Sequence, residues 1–197
     1  MTKTNITLSS CLLILVCCHV SVSGQTSSKK DTRNVLDYFN LAVQKVEDVK
    51  NYPRDRFRVK DLKNGFLEIA NDDFYRQVAL FRKDNGDALL VIAEHGGGPA
   101  GYTDSLEAYE IYEGKSDSRM VSVTRMVFPR LSGREELDLY NRKRPKDFEE
   151  ADTWVGVLFE LPRRGRIIAV KGNLDANEVV TLYELYLKND RFIIVKK

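Results

Sequence analysis

Apolar positions in this chain recur first at helical spacing and then, from Phe57 onward, at strand spacing. Val35, Leu36, Phe39, Val43 and Val46 fall three and four residues apart, the repeat that lines one face of an α-helix. Asp31 or Thr32 can cap the start, Asp37, Lys45, Glu47 and Lys50 supply a polar face, and Asn51-Tyr52-Pro53 stops the run. The pattern predicts an amphipathic helix over Arg33–Val49.

Hairpins follow. Phe57-Arg58-Val59 alternates, Asn64-Gly65 turns, and Phe66–Ala70 returns. Tyr75–Arg82 goes out, Asn85-Gly86 turns, and Ala88–Ala93 comes back. A two-residue loop at Asn85-Gly86 sets Leu80 opposite Val91 and Phe81 opposite Leu90. Both faces of this pair are apolar, which predicts strands in the middle of a sheet, covered on both sides. A glycine-rich loop from Glu94 to Asp104 comes next. Leu106–Glu113 and Arg119–Phe128 form a further pair.

Ser132-Gly133-Arg134-Glu135 has the form of a capping box and predicts a short helix through Leu137 and Tyr140. Arg142–Asp152 is a charged excursion, basic then acidic. Trp154–Leu161 with Arg166–Val170, and Val179–Leu187 with Arg191–Lys196, make the last two hairpins. Three hairpins look alike in sequence, as duplicated units do, but so do any two-sided hairpins with polar turns. The expected fold is α+β: a mostly antiparallel sheet of about ten strands in successive hairpins. That meander would close as a curved sheet, a sandwich or a barrel-like form, with the N-terminal helix packed on one face.

The first residues change the count. Lys3, an apolar run over Leu8–Val22 and the small residues Val22-Ser23-Gly24 have the three-part layout of a secretory signal peptide, which puts the mature start at Gln25. A lipid anchor at Cys18 is the weaker reading, because such anchors want Gly, Ala or Ser before the cysteine and Cys17 stands there. Gln25–Thr32 is a polar tether, and Arg33–Lys197 a single globular domain. Removing 24 of the 197 residues leaves 173, with no cysteine and one histidine, His95. Lys+Arg falls from 31 to 30 with the loss of Lys3, against 29 Asp+Glu, so nucleic acid is not the expected partner. An exported chain without disulfides points to a bacterial periplasm or cell surface.

Candidate chemistry is sparse. His95-Gly96-Gly97-Gly98 matches the letters of the oxyanion loop of lipases and esterases. No G-x-S-x-G elbow accompanies it, and the sole mature histidine lies inside the loop. With one histidine and no cysteine, a zinc site of those ligands is excluded. Ser105 and Ser118 are conceivable nucleophiles that no spacing supports. Asp84-Asn85-Gly86-Asp87 and Asn71-Asp72-Asp73 are turn sequences before they are calcium ligands. No cofactor or metal is expected. Glu94, His95, Gly96, Gly97, Gly98 and Tyr102 are therefore expected as a ligand-binding rim whose glycine amides can form a nest. Arg142, Lys143 and Arg144, together with Arg163 and Arg164, are expected to contact an acidic partner or a surface glycan. Tyr109, Tyr112, Tyr183 and Tyr186 are candidates for an aromatic platform, although residues three apart on a strand face opposite ways.

The leading expectation is an exported, non-enzymatic binding or interaction domain for a protein, glycan or small ligand. A small carboxylate-dependent hydrolase of glycosidase type and a structural component of a cell-surface assembly are the alternatives. Expression with the leader in an exporting host should yield a chain beginning at Gln25, read by N-terminal sequencing. A secreted product that still starts at Met1 rejects the leader.

Overall fold

The computed structural model describes residues 33–50, 52, 56–70, 74–98, 101–113, 118–153, 155–174 and 178–195. The chain divides into two compact units, Met1–Asp31 and Thr32–Lys197. The expected leader, Cys18 and the tether lie outside the described residues, as do Trp154 and the turn at 71–73. Every element below belongs to the second unit.

Asn34 starts α1 (Val35–Lys45): its side chain accepts from the Leu36 and Asp37 amides, and the Asp37 carboxylate accepts from the Asn34 amide. This reciprocal cap satisfies donors that the first turn leaves open. The helix stops at Lys45 rather than Val49, because Val46 turns to extended backbone and residues 47–50 form a turn. Val49 is fully buried from that turn, not from the helix.

Strands β1 (Phe57–Asp61), β2 (Phe66–Ala70), β3 (Phe74–Arg82), β4 (Ala88–Gly98), β5 (Gly101–Glu113) and β6 (Ser118–Ser122) form a six-stranded antiparallel meander in chain order. Two helices follow, α2 (Thr124–Val127) and α3 (Gly133–Lys143). Then β7 (Gly156–Glu160), β8 (Ile167–Asn173), β9 (Val179–Lys188) and β10 (Arg191–Val195) make a second sheet in the order β10-β9-β8-β7. The sequence expectation of mostly antiparallel hairpins with a few helices holds, as two sheets and no closed barrel among the described residues. Among them no helix is long and apolar enough to cross a membrane.

The period-two alternation of β2–β5 separates two apolar clusters. Leu67, Ile69, Val78, Leu90, Ile92 and Tyr109 cluster with Val35, Tyr38, Phe39, Ala42 and Val43 of α1. Phe66, Ala79, Phe81, Leu89, Val91 and Ala108 cluster instead with residues of the second sheet, including Ile168, Val170, Leu182, Leu185 and Phe192. Phe192 meets Phe81 edge-on at 5.2 Å between ring centroids. Tyr140 and Leu137 of α3 join this second cluster. The capping box expected at Ser132 is present, with Ser132 and Glu135 satisfying each other's backbone amides.

Three local readings change. Leu80 pairs with Leu90 and Phe81 with Leu89, one residue off the expected register. The loop is Lys83–Asp87, closed by the Lys83 amide donating to the Asp87 carbonyl. Gly86 has φ +91 while Asn85 stays at negative φ, so the two-residue turn, which needs positive φ at both, does not form. Asn189 and Asp190 do carry φ of 49 and 63, and there the two-residue turn joins β9 to β10 directly. The strand expected over Arg119–Phe128 ends at Ser122, where the chain enters α2.

Candidate functional site

The glycine-rich segment is not a loop. β4 runs through Gly98, with His95 paired to Asp104, Gly96 to Thr103, Gly97 to Tyr102 and Gly98 to Gly101. Backbone pairing carries the strand past its last apolar side chain. The expected rim is therefore a hairpin arm, and His95 is 8% exposed rather than displayed to solvent. The side chain of Tyr102 lies outside the described residues.

Alternation puts Glu94 and His95 on opposite faces. Glu94 accepts from Arg76 at 2.8 Å and from the Tyr52 hydroxyl, with the Arg76 guanidinium 3.9 Å from the Tyr52 ring centroid. Burial first, and then the Glu94 contact, push the Tyr52 phenol well above its ordinary range. His95 faces the second sheet. Its ring stacks on Tyr75 at 4.1 Å, and its Nδ1 lies 2.7 Å from Asp104 Oδ2. Burial, and next the Asp104 charge, push the Tyr75 phenol up to about 12.

The Asp104 side chain is fully buried, and its Oδ2 also accepts the Phe159 amide at 3.3 Å. Gln77, on the same face of β3, accepts the Leu161 amide through Oε1 at 2.8 Å. The Phe159 amide lies on the free edge of β7, the outer strand of the second sheet, and the Leu161 amide follows one residue past the end of that strand. A buried amide without an acceptor costs about 1–3 kcal/mol. Asp104 and Gln77 thus take the place of a missing neighbour strand. A histidine held by a carboxylate is also how a general base is oriented. Here the remaining ring nitrogen, Nε2, is buried with no partner, between the sheets. Ser105 cannot join it, because it follows Asp104 on β5 and points to the opposite face; Ser118 pairs with Glu113 on the far edge of β5.

Three of the five expected basic contacts, Arg142, Arg144 and Arg163, are engaged with their own chain. Arg144 caps α3, donating to the Phe148 carbonyl at 2.6 Å and to Glu150 at 3.2 Å. Arg142 donates to the Asp138 carbonyl at 3.1 Å, and Lys143 lies in the same last turn. Arg163 reaches Asp61 of β1 at 3.1 Å, and Arg164 is exposed in the β7–β8 turn. The tyrosines form no shared platform. Tyr109 and Tyr183 are 3% and 4% exposed, while Tyr112 is 53% exposed.

A concave feature lies elsewhere, beside β5. A groove of about 660 Å³ runs between the β5 edge at Asp104–Glu107, α2 and the segment after it, and inner residues of β7 and β9. Leu106, Val157, Phe159 and Leu185 supply apolar lining, with Arg125 and Arg130 among the exposed lining residues. Its acids are engaged: Asp104 by His95, Glu107 by the Tyr109 hydroxyl, and Glu136 by the Tyr183 hydroxyl at 3.1 Å. Neither arginine has an acidic partner among the described residues. Burial raises the Glu136 pKa, against the Tyr183 hydrogen bond, which lowers it. Sequence reading missed this groove. The phase Asp104, Leu106, Ala108 was visible, but the loop assigned before Leu106 hid it.

No family model matches the sequence, and no curated protein matches it. Among solved structures it is similar to a domain of an uncharacterized protein from Porphyromonas gingivalis W83. The match has a TM-score of 0.42 and 8% identity, covering 72% of this chain and 80% of that one. At that level the likeness carries no functional inference.

Two outcomes follow from the polar contacts. Asp104→Ala should lower unfolding free energy by roughly 1–3 kcal/mol in urea, because the Phe159 amide loses its acceptor and His95 its partner. An unchanged midpoint rejects the coupling. Glu136 titrates with a raised folded pKa, so its stabilising contribution is complete below the ordinary carboxylate pKa and is lost as pH rises through the raised value. Glu136→Gln should therefore raise Tm relative to the natural chain more at about pH 7 than at about pH 4. A pH-independent difference counts against it.

Proposed function

We propose that this chain is an exported, non-enzymatic binding domain whose ligand occupies the groove beside β5 rather than the Glu94–Gly98 arm. The supporting observation is the groove's composition. Ligand sites are concave and mostly apolar, with a few placed polar groups. This groove has that character, and its two arginines lack acidic partners while its three acids are already hydrogen-bonded. That arrangement favours a ligand with an apolar body and a negative group. The leader sequence supports export, and the near balance of 31 basic and 29 acidic residues supports a partner other than nucleic acid.

The anionic amphiphile 8-anilinonaphthalene-1-sulfonate is a direct probe. Its fluorescence should report one saturable site per chain. An exposed ion pair contributes about 0.2–1 kcal/mol, so Arg125→Ala with Arg130→Ala should weaken binding roughly fivefold. Arg142→Ala with Arg164→Ala should leave it unchanged. Absence of a saturable site, or equal losses in both double variants, overturns the reading.

A further inference from the structure

The groove has a property that the apolar lining alone does not explain: one wall is an open strand edge. β5 is paired with β4 from Gly101 to Glu110, but β6 covers its other edge only over Tyr109–Glu113. Just beyond, Thr124 Oγ1 accepts the Ala108 amide at 3.0 Å, and the Val123 amide donates to the Ala108 carbonyl at 2.9 Å. There the chain turns into α2 and leaves the sheet. Both polar backbone groups of Ala108 therefore point to the outer edge. Antiparallel geometry repeats that direction every second residue, so the N–H and C=O of Leu106 and Asp104 point the same way. No strand pairs with Asp104–Glu107 on that side among the described residues, and these four residues line the groove.

Exposed edges are usually blunted by lysine, proline or a bulge. Asp-Ser-Leu-Glu at 104–107 contains neither lysine nor proline, and its pairing with β4 runs without a register shift. Resting on the binding reading above, we infer that the groove takes an extended peptide segment of a partner protein, added as a strand to β5 at Asp104–Glu107. The peptide carries apolar side chains at alternate positions, and an acidic side chain or C-terminal carboxylate that meets Arg125 and Arg130. Strand addition lets main-chain hydrogen bonds supply affinity while alternate side chains enter pockets. Leu106, Val157, Phe159 and Leu185 are the apolar surface for those side chains.

The open edge decides between a peptide and an acyl chain. A hydrocarbon tail laid on β5 would exclude water from the Leu106 amide and carbonyl without replacing the hydrogen bonds, and burying an amide that way is costly. A peptide backbone replaces them. The chain's own Gln25–Thr32 is a poor occupant, because Q-T-S-S-K-K-D-T has no large apolar residue and brings two lysines towards two arginines.

Selection of hexapeptides from a random display library against the mature chain tests this. Selected peptides should alternate apolar and polar residues and carry an acid. Binding should slow hydrogen exchange at the Leu106 amide. N-methylation of the peptide's pairing amides should weaken binding roughly tenfold, the size of one or two backbone hydrogen bonds. Leu106→Pro removes an edge-facing N–H, which edge strands tolerate. Measured against Leu106→Ala, which loses the side chain but keeps the N–H, it should weaken the peptide by a similar factor; the N-methylated peptides keep the test decisive should that variant fold poorly. Peptides that bind without protecting Leu106, or that tolerate N-methylation, overturn the inference. So does selection of no peptide while the probe, or dodecanoate in competition with it, still binds in an arginine-dependent way; the binding reading then survives. Concentration-dependent dimerisation that protects Leu106 without any peptide makes a second copy the occupant and also overturns it. Loss of both probe and peptide binding sinks both readings.

Discussion

A carboxylate buried without a lysine or arginine beside it is unfavourable unless donors surround it. The Asp104 side chain is fully buried, and the described donors to it are His95 and the Phe159 amide. That pairing is one of the places where the two sheets are tied by polar contacts as well as by apolar packing. The constraint arises from topology. β7 is the last strand of its sheet, and its outward amides lie against β4 and β5 instead of water. Asp104 and Gln77 answer that need with side chains, at positions fixed by the phase of the two strands that bear them. Because hydrogen bonds are directional where apolar contacts are not, these two set how far β7 can slide over the first sheet.

The same departure from regular pairing produces the groove. A sixth strand as long as β5 would seal the edge at Asp104–Glu107. Instead β6 covers five residues of a thirteen-residue strand, and α2 begins at Thr124. The cavity, the open edge and the two arginines at 125 and 130 thus share one cause, a chain that leaves its sheet early.

Much of the fold was legible because it depends on local alternation and turn chemistry. Ser132-x-x-Glu135 names its own helix start, and the last hairpin pairs the two apolar runs read for it. Where two turn solutions compete, composition decided less: Asn85-Gly86 reads like a two-residue turn, yet only Gly86 adopts positive φ and the register moves by one. Runs of glycine read as loop because they lack a hydrophobic signal, but strand pairing is made by backbone, and Gly96–Gly98 pair as any residues would. The groove was the least legible. It is assembled from β5, α2, β7 and β9, whose meeting depends on how the second sheet lies over the first, and no local pattern in the sequence encodes that.

The order of synthesis gives the second sheet a further meaning. The inner face of the six-stranded meander is complete once Ser122 has been made, but its covering residues run from Val123 to Phe192. Until the last of those appear, the cover over Phe81, Leu89 and Val91 is incomplete, and the ring contact from Phe81 waits for Phe192. Contacts between residues this far apart in sequence close slowly, because chain entropy is lost before they form. The early hairpins therefore cannot settle into a finished domain on their own, and folding is deferred to the closing strands.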